Sequence, residues 1–207
     1  MPPSESRRLD ILSAREITDL YGLPSFTDEE RRLYFDLSES ERAAVDALLP
    51  ETALHFVLHI GYFKAKRQFF VYDIETVRDD ALHVLKQYFP NRSITSASPL
   101  SKTRRFDLQQ SILTLFSYQR CDSSAKATLE NRARRTAMLS TQPITILRDA
   151  LQYLENQRIV APGYTFMQDV VSRAVTGERH RITGLLQNAM RVSVLSRPSC
   201  RVICLSR

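Results

Sequence analysis

The feature that most constrains the fold of this chain is a set of three helix-start signals near its N-terminus. Each signal is a capping box: a serine or threonine hydroxyl accepts a hydrogen bond from the third helical N–H, and a glutamate at that third position bonds back to the cap. The three boxes are Ser13 to Glu16, Thr27 to Glu30 and Ser38 to Glu41. They predict three short helices, the first ending at Gly22 and the third ending before Pro50.

Apolar residues recur at helical spacing along the rest of the chain. Further helices are predicted over residues 51–64, 74–89, 101–119 and 123–140, from Pro143, and after Gly163. Apolar residues surround most of the helix over 51–64, so we expect it to lie at the centre of a core. On the helix over 101–119, Phe106 and Ile112 are expected to face inward. The predicted fold class is all-α.

A segment dense in serine and proline, residues 90–100, divides the predicted helices into two groups. Residues 1–89 would form an N-terminal helical subdomain and residues 101–190 a second, DNA-binding subdomain. They would make two small helical bundles or one elongated helical array. Residues 191–207 contain no acidic residue and no helical stripe. We interpret them as an aberrant tail from out-of-frame or truncated coding sequence, or as a flexible basic tail.

Composition excludes several classes of protein. Only five glycines occur in 207 residues, which argues against a dinucleotide-binding fingerprint or a phosphate-binding loop. The three cysteines, Cys121, Cys200 and Cys204, are scattered, which favours a reducing compartment. No stretch approaches the ~20 apolar residues of a membrane span, and the N-terminus lacks the apolar core of a secretory signal. We therefore expect a cytoplasmic chain with no membrane partner.

The charge is distributed unevenly along the chain. Residues 1–60 contain six basic and twelve acidic side chains, whereas residues 61–207 contain twenty-three basic and eleven acidic ones. A basic segment of this kind favours a polyanionic partner, and nucleic acid is the first candidate. A basic protein without such a partner is the alternative, and charge alone does not separate the two.

Candidate catalytic and metal-binding residues have simpler explanations. His55 and His59 are four residues apart on a predicted helix, but no third zinc ligand accompanies them, and apolar neighbours favour packing histidines. Asp28 and the two glutamates after it suit the first turn of a helix, where negative charge is stabilised. No serine lies in a nucleophile elbow. Apart from Asp79 and Asp80, no pair of carboxylates suggests acid–base chemistry. We expect no catalytic residue, metal or cofactor.

Basic clusters are the stronger candidates for function. On the predicted helices, arginine and lysine side chains flank apolar faces, where they could contact a phosphate backbone, and polar side chains such as Gln110 could read bases. A solvated helix face is the alternative. The predicted DNA-binding residues are Lys64, Lys66, Arg67, Lys102, Arg104, Arg105, Arg120, Lys126, Asn131, Arg132, Arg134 and Arg135.

The order of several short motifs resembles the N-terminal part of the replicative transposases of the Tn-three family (class II transposons), over roughly residues 9–190. No single motif is diagnostic, but the ordered series is moderately specific. The motifs are Ile11-Leu-Ser-Ala-Arg-Glu16, Gly22-Leu-Pro24, Thr27-Asp-Glu-Glu-Arg31, Phe35-Asp-Leu-Ser38, Phe56-Val-Leu-His-Ile60, Arg105-Phe-Asp-Leu108, Leu151-Gln-Tyr-Leu154 and Arg158-Ile-Val-Ala-Pro162.

This resemblance implies a function. Transposases of the family are several times longer than this chain, and their N-terminal helical region recognises the terminal inverted repeats of the element in double-stranded DNA. Their chemistry belongs to a C-terminal RNase H-like domain, in which two aspartates and a glutamate hold magnesium. The resemblance thus implies a bacterial, nucleoid-associated, non-catalytic DNA-binding region. The departure after residue 190 implies a fragment or decayed copy.

Two alternatives stay open at the level of sequence. The apolar helices could complete their core only with a homodimer partner or with the remainder of a transposase, which would make the chain a protein–protein interaction module. The chain could also be a non-catalytic regulator that occupies transposon ends without cutting them.

Overall fold

The computed structural model describes residues 8–91 and 100–195, and this part of the chain is all-α, as the sequence predicts. It contains no strand, only an isolated bridge between Gln119 and Ile159. The helices are α1 (Ala14–Tyr21), α2 (Asp28–Tyr34), α3 (Glu39–Asp46), α4 (Pro50–Lys66), α5 (Arg78–Tyr88), α6 (Lys102–Phe116), α7 (Ser123–Leu139), α8 (Pro143–Asn156) and α9 (Tyr164–Leu195).

All three predicted capping boxes form. The backbone N–H groups of Ser13, Thr27 and Ser38 each donate to the glutamate three residues later, at 2.8 Å in every case. α1 ends at Gly22 as predicted. α3 ends earlier than expected, at Asp46, because Leu49 already caps α4, which begins at Pro50. Local capping signals therefore fix most helix starts in the first third of the chain.

The first core surrounds α4, whose residues from Ala53 to Phe63 are buried throughout. α2, α3, α5 and α6 pack against this helix. Aromatic rings fill much of the space, including Phe26, Phe35 and Tyr62, whose ring centroids lie 5.6 to 6.0 Å apart. The central position predicted for this helix is confirmed, and the reason is that apolar side chains leave it no polar face for solvent.

The second core is formed by α7, α8 and α9, with apolar residues of α1 and the segment before it packed on the outside. The segment is pinned to α9 by polar contacts. Arg8 pairs with Asp169, and the N–H of Leu9 donates to the Ser172 hydroxyl at 2.9 Å. Gln168 in turn donates to the Leu9 carbonyl at 2.9 Å. Residues near the N-terminus are therefore part of a core made mainly by the second half of the chain.

The two cores do not follow the division predicted at residues 90–100. α6 belongs to the first core, and residues 9–21 belong to the second. Apolar spacing shows that a helix has a buried face, but it does not show which bundle that face joins. Residues 92–99 of the predicted linker lie outside the described residues. α9 continues to Leu195, past the predicted boundary at 190, and the rest of the predicted tail, 196–207, is not described.

Two local predictions were wrong. Phe106 was expected to face inward, but its side chain is 52% exposed. Phe106 shares a helix face with the buried Leu113 but lies two turns earlier, about 10 Å along the helix axis. At that point the face meets the Arg120 guanidinium. α5 begins at Arg78 rather than near residue 74. The Asp73 carboxylate accepts hydrogen bonds from the Thr76 N–H and hydroxyl, at 2.8 and 2.9 Å, and this turn competes with helix formation.

Replacement by alanine is expected to have opposite effects at two helical glycines, Gly61 and Gly177. A Cβ at Gly61 would overlap the fully buried Phe35 ring, whereas one at Gly177 in α9 would meet nothing within 4 Å. Alanine favours a helix by about 1 kcal/mol over glycine, while overpacking costs about 1–3 kcal/mol. Urea unfolding should show Gly61→Ala to be destabilised by about 1–2 kcal/mol and Gly177→Ala to be stabilised by up to about 1 kcal/mol. Equal effects of the two substitutions would contradict the packing of Phe35 against α4.

Candidate nucleic-acid interface

Two of the predicted DNA-binding lysines at the end of α4 hold the fold together. Lys64 is only 18% exposed and donates to the Glu41 carboxylate at 2.7 Å and to the Asp36 carbonyl at 2.5 Å. Lys66 donates to three carbonyl oxygens at the C-terminal end of α1, and burial lowers its pKa. Those carbonyls, which lie at the negative end of the α1 dipole, belong to Thr18, Asp19 and Gly22, at 3.3, 2.7 and 2.9 Å. The Thr18 carbonyl also accepts the capping N–H of Gly22.

Arg67 and Arg120 instead stack on aromatic rings. Arg67 ends α4 in a left-handed conformation, with φ at 52°. Its guanidinium carbon lies 5.9 and 5.8 Å from the ring centroids of Phe63 and Tyr118. The guanidinium carbon of Arg120 lies 4.4 and 6.0 Å from those of Phe106 and Phe69. We call these six residues the aromatic–arginine cluster: Phe63, Arg67, Phe69, Phe106, Tyr118 and Arg120.

The cluster is continuous because its inner rings touch one another. The centroid of Phe63 lies 5.1 Å from that of Phe69 and 5.2 Å from that of Tyr118. Neither arginine forms an ion pair with a carboxylate in residues 8–91 or 100–195. Among the described residues Arg120 donates to the Gln109 side chain alone, at 3.0 Å, and burial lowers its pKa. The cluster therefore carries two positive charges that no acidic side chain of the described chain balances.

The N-terminal turn of α6 adds three more basic residues. Lys102 and Arg104 are exposed, and Arg105 is half-buried, with its guanidinium donating to the Leu100 carbonyl at 3.4 Å. None of the three forms an ion pair with a carboxylate of the described residues. The positive end of the helix dipole lies at this turn as well. Gln110 is exposed two turns further along α6. Positive charge is thus concentrated on one end of α6.

The predicted residues on α7 divide into two kinds. Arg132 forms two hydrogen bonds with the Asp149 carboxylate of α8, at 2.8 and 2.6 Å, and its proximity lowers the pKa of Asp149. Arg134 donates to the Asn131 side chain at 3.2 Å and lies 3.9 Å from a carboxylate oxygen of Glu130. The contact of Arg132 joins α7 to α8, whereas those of Arg134 lie within α7.

Two cations of α7 have no such partner. Lys126 lies 5.4 Å from the ring centroid of Phe166, and Arg135 is exposed, and neither pairs with a carboxylate in the described part of the chain. Apart from Lys66, whose partners are backbone carbonyls, seven of the twelve predicted residues thus form no ion pair with a carboxylate of the described chain. They are Arg67, Lys102, Arg104, Arg105, Arg120, Lys126 and Arg135.

The residues weighed for acid–base chemistry have structural partners. Asp80 is buried and accepts hydrogen bonds from Arg31 at 2.7 Å and from the Tyr62 hydroxyl at 2.8 Å. Arg31 also pairs with Asp28, at 2.8 Å. These contacts join α2, α4 and α5. Burial and the adjacent Asp80 carboxylate raise the pKa of Tyr62, so this hydroxyl stays protonated and keeps donating.

His55 and His59 lie inside the first core, as the packing interpretation predicts. Both are buried, and the centroid of the His59 ring lies 5.3 Å from that of Tyr72 and 6.3 Å from that of Phe69. Burial, with the nearby His55 and Arg105, lowers the pKa of His59 to about 3. The described part of the chain contains no cluster of three His, Cys, Asp or Glu side chains that could hold a metal ion.

His59 predicts a dependence of stability on pH. Its pKa falls from 6.5 to about 3 on folding, so the unfolded chain binds the proton more tightly. The stability from the neutral ring is complete above pH 6.5 and is lost as the pH falls toward 3. Between pH 7 and pH 5 the free energy of unfolding should fall by about 2 kcal/mol more than in His59→Phe. Urea unfolding measures this, and exposed His180→Gln should retain the wild-type slope.

Comparison with known families places most of the chain in one family. The chain matches the family model described as a domain of unknown function, DUF4158, over residues 11–174. The chain belongs to this family. The family occurs in Tn-three family transposases. No curated protein matches the chain. The matched range includes α1 to α8 and the part of α9 that packs in the second core.

Sequence reasoning identified the basic residues but missed how they are held. The ring contacts of Arg120 come from Phe69 and Phe106, which lie far from it in sequence, so no local pattern reveals them. The sequence marks Glu41 only as part of the third capping box, so its ion pair with Lys64 could not be read from it. No helix in residues 8–91 and 100–195 combines the length and apolarity needed to cross a membrane.

Proposed function

We propose that this chain is a non-catalytic, DNA-binding helical region of a Tn-three family transposase, which recognises terminal inverted repeats in double-stranded DNA. The observation that carries the proposal is a group of cations that have no acidic partner in the described part of the chain and lie at the end of α4, in the first turn of α6 and just after α6. These are Arg67, Lys102, Arg104, Arg105 and Arg120. Family membership supports the same interpretation.

The basic side chains divide into those that have partners inside the fold and those that have none among the described acidic residues. The half-buried cations Lys64 and Lys66, and the exposed Arg132, each have partners within the fold. Exposed cations without acids nearby repel one another, and a row of phosphates would relieve this repulsion while releasing counterions. The positive end of the α6 dipole would add to this attraction.

The non-catalytic part of the proposal rests on how the acidic side chains are used. Asp80 and Asp149 are engaged with Arg31 and Arg132. Glu16, Glu30 and Glu41 cap helices. Base discrimination would then come from polar side chains near the cations, with Gln110 on α6 and Asn131 on α7 as candidates.

DNA binding predicts a steep dependence on salt. The logarithm of the association constant should fall linearly with the logarithm of salt concentration, by about 0.9 for each phosphate neutralised. Lys102→Gln combined with Arg104→Gln should reduce this slope by about 1.8 and weaken binding to every duplex. Fluorescence anisotropy with a class II terminal repeat and a scrambled duplex measures both effects.

The control is Lys86→Gln, which removes one positive charge from an exposed position on α5 and should leave the slope unchanged. Equal binding of the repeat and the scrambled duplex would contradict recognition of the repeat. A wild-type slope near zero, or a slope unaltered in the double variant, would contradict DNA binding through α6.

A second candidate function, self-association, is favoured by a specific feature of α9. Ile182, Leu185 and Leu186 form a stripe at helical spacing beyond the point where α7 ends, and they are 39%, 56% and 61% exposed. Leu139, the last residue of α7, is 90% exposed. Exposed apolar patches of several hundred Å² mark interaction sites. We propose that a second copy of this chain covers the stripe.

Self-association predicts the opposite dependence on salt from DNA binding. The flanking residue Arg179, which is exposed, would approach its counterpart in a second copy, so added salt should screen the repulsion and strengthen the dimer. Light scattering should show a dimer that Leu185→Glu abolishes. Gln187→Glu, an equal change of charge on the same helix, should have a much smaller effect. A monodisperse monomer at both 50 and 500 mM salt (about threefold apart in Debye length) would exclude this candidate.

A further inference from the structure

We propose that Phe106, held in place by Arg120, is a base-stacking side chain that enters bound DNA at a step where the bases are already unstacked. The inference rests on the proposed DNA binding and adds a contact with a base to the phosphate contacts. The ligand chemistry is the flat face of a nucleobase, at a weak step of a duplex.

The first observation is the exposure of Phe106. Its side chain is 52% exposed, while every other phenylalanine, all of which lie in the described residues, is buried or half-buried. It projects from a helix that is anchored in the first core through Leu108, Ile112 and Leu113. An aromatic ring on such a helix has few rotatable bonds, so it loses little conformational entropy when it binds.

The second observation is the position of Arg120 beside this ring. The guanidinium carbon lies 4.4 Å from the ring centroid, closer than in any other cation–ring pair of the described chain. The Arg120 guanidinium also lies 6.0 Å from the ring centroid of Phe69 and donates a hydrogen bond to the Gln109 side chain. The ring is thus braced by a cation whose charge has no acidic partner in the fold.

The third observation is the position of basic residues one turn before Phe106. Lys102 and Phe106 are four residues apart on α6 and therefore share a face of the helix. Phosphates bound at Lys102 and Arg104 would bring the duplex to the exposed ring. Proteins that distort DNA combine these elements: cations that bind the backbone and an apolar side chain that enters between two bases.

The energetics favour a weakened step over an intact one. Separating two stacked bases costs about as much as one base–aromatic contact returns, so the ring gains little at a strong step. At an abasic site the separation is already made, and the stacking contact becomes a net gain. Phe106 should therefore create a preference for duplexes with a local defect, which phosphate contacts alone do not create.

The test uses two duplexes of the same sequence, one intact and one with a single abasic site beside a 2-aminopurine base. The full chain should bind the abasic duplex about tenfold more tightly, the gain of one stacking contact, and should change the 2-aminopurine fluorescence. Phe106→Ala should lose both the preference and the signal while keeping the salt dependence. Phe106→Trp should retain them, and Phe106→Leu, which keeps an apolar side chain without a ring face, should lose most of the preference.

The control is Leu82→Ala, which shortens a similarly exposed apolar side chain on α5, 45% exposed, and should bind like the wild type. Equal affinity of wild type and Phe106→Ala for the two duplexes, with a normal salt slope, would overturn the base-stacking role and leave DNA binding intact. Failure of the wild type to bind either duplex at low salt would overturn both proposals. Phe106→Trp guards against a folding defect, because it retains the ring.

Discussion

The candidate interface depends on how the C-terminal end of α4 is held. The ammonium of Lys66 fills the C-terminal end of α1, so a helix of the second core is fastened to the central helix of the first. Arg67 then ends α4 in a left-handed conformation. A second contact of this kind lies just after α6 in the chain. There the Gln119 N–H donates to the Arg158 carbonyl at 2.8 Å, and the Val160 N–H donates to the Gln119 carbonyl at 2.9 Å. These two contacts fix Arg67 and Arg120 around the aromatic rings.

Partners, rather than the number of charges, separate the basic residues into two groups. In the sequence Lys64, Lys66 and Arg67 form one cluster. In the structure Lys64 pairs with a carboxylate and Lys66 donates to the carbonyls at the end of a helix. Arg132 likewise forms an ion pair with Asp149. Burying a cation requires a partner of opposite charge or several oxygen acceptors, so cations that enter the fold acquire internal partners. The remaining ones lie around α6 and on α7, and they carry the proposed contact with DNA.

Prediction from sequence succeeded for local interactions and failed for distant ones. The three capping boxes, the end of α1 at Gly22 and the central burial of α4 all follow from residues close together in the chain. The assignment of α6 to the first core and the exposure of Phe106 do not. A helical stripe shows which face is apolar, but the extent of the neighbouring elements decides how far along that face burial continues. DNA binding stays a prediction at both levels.

The sequence by itself determined the fold class, the helices and the surplus of positive charge after residue 60, because propensity, capping and net charge depend on residue type and short spacing. Only the tertiary structure decided which helices share a core and which cations keep an unbalanced charge. The physical reason is that burial and ion pairing join residues far apart in the chain, as Lys64 meets Glu41 and Arg120 meets Phe69. Those meetings depend on the packing of whole helices, which no local pattern encodes.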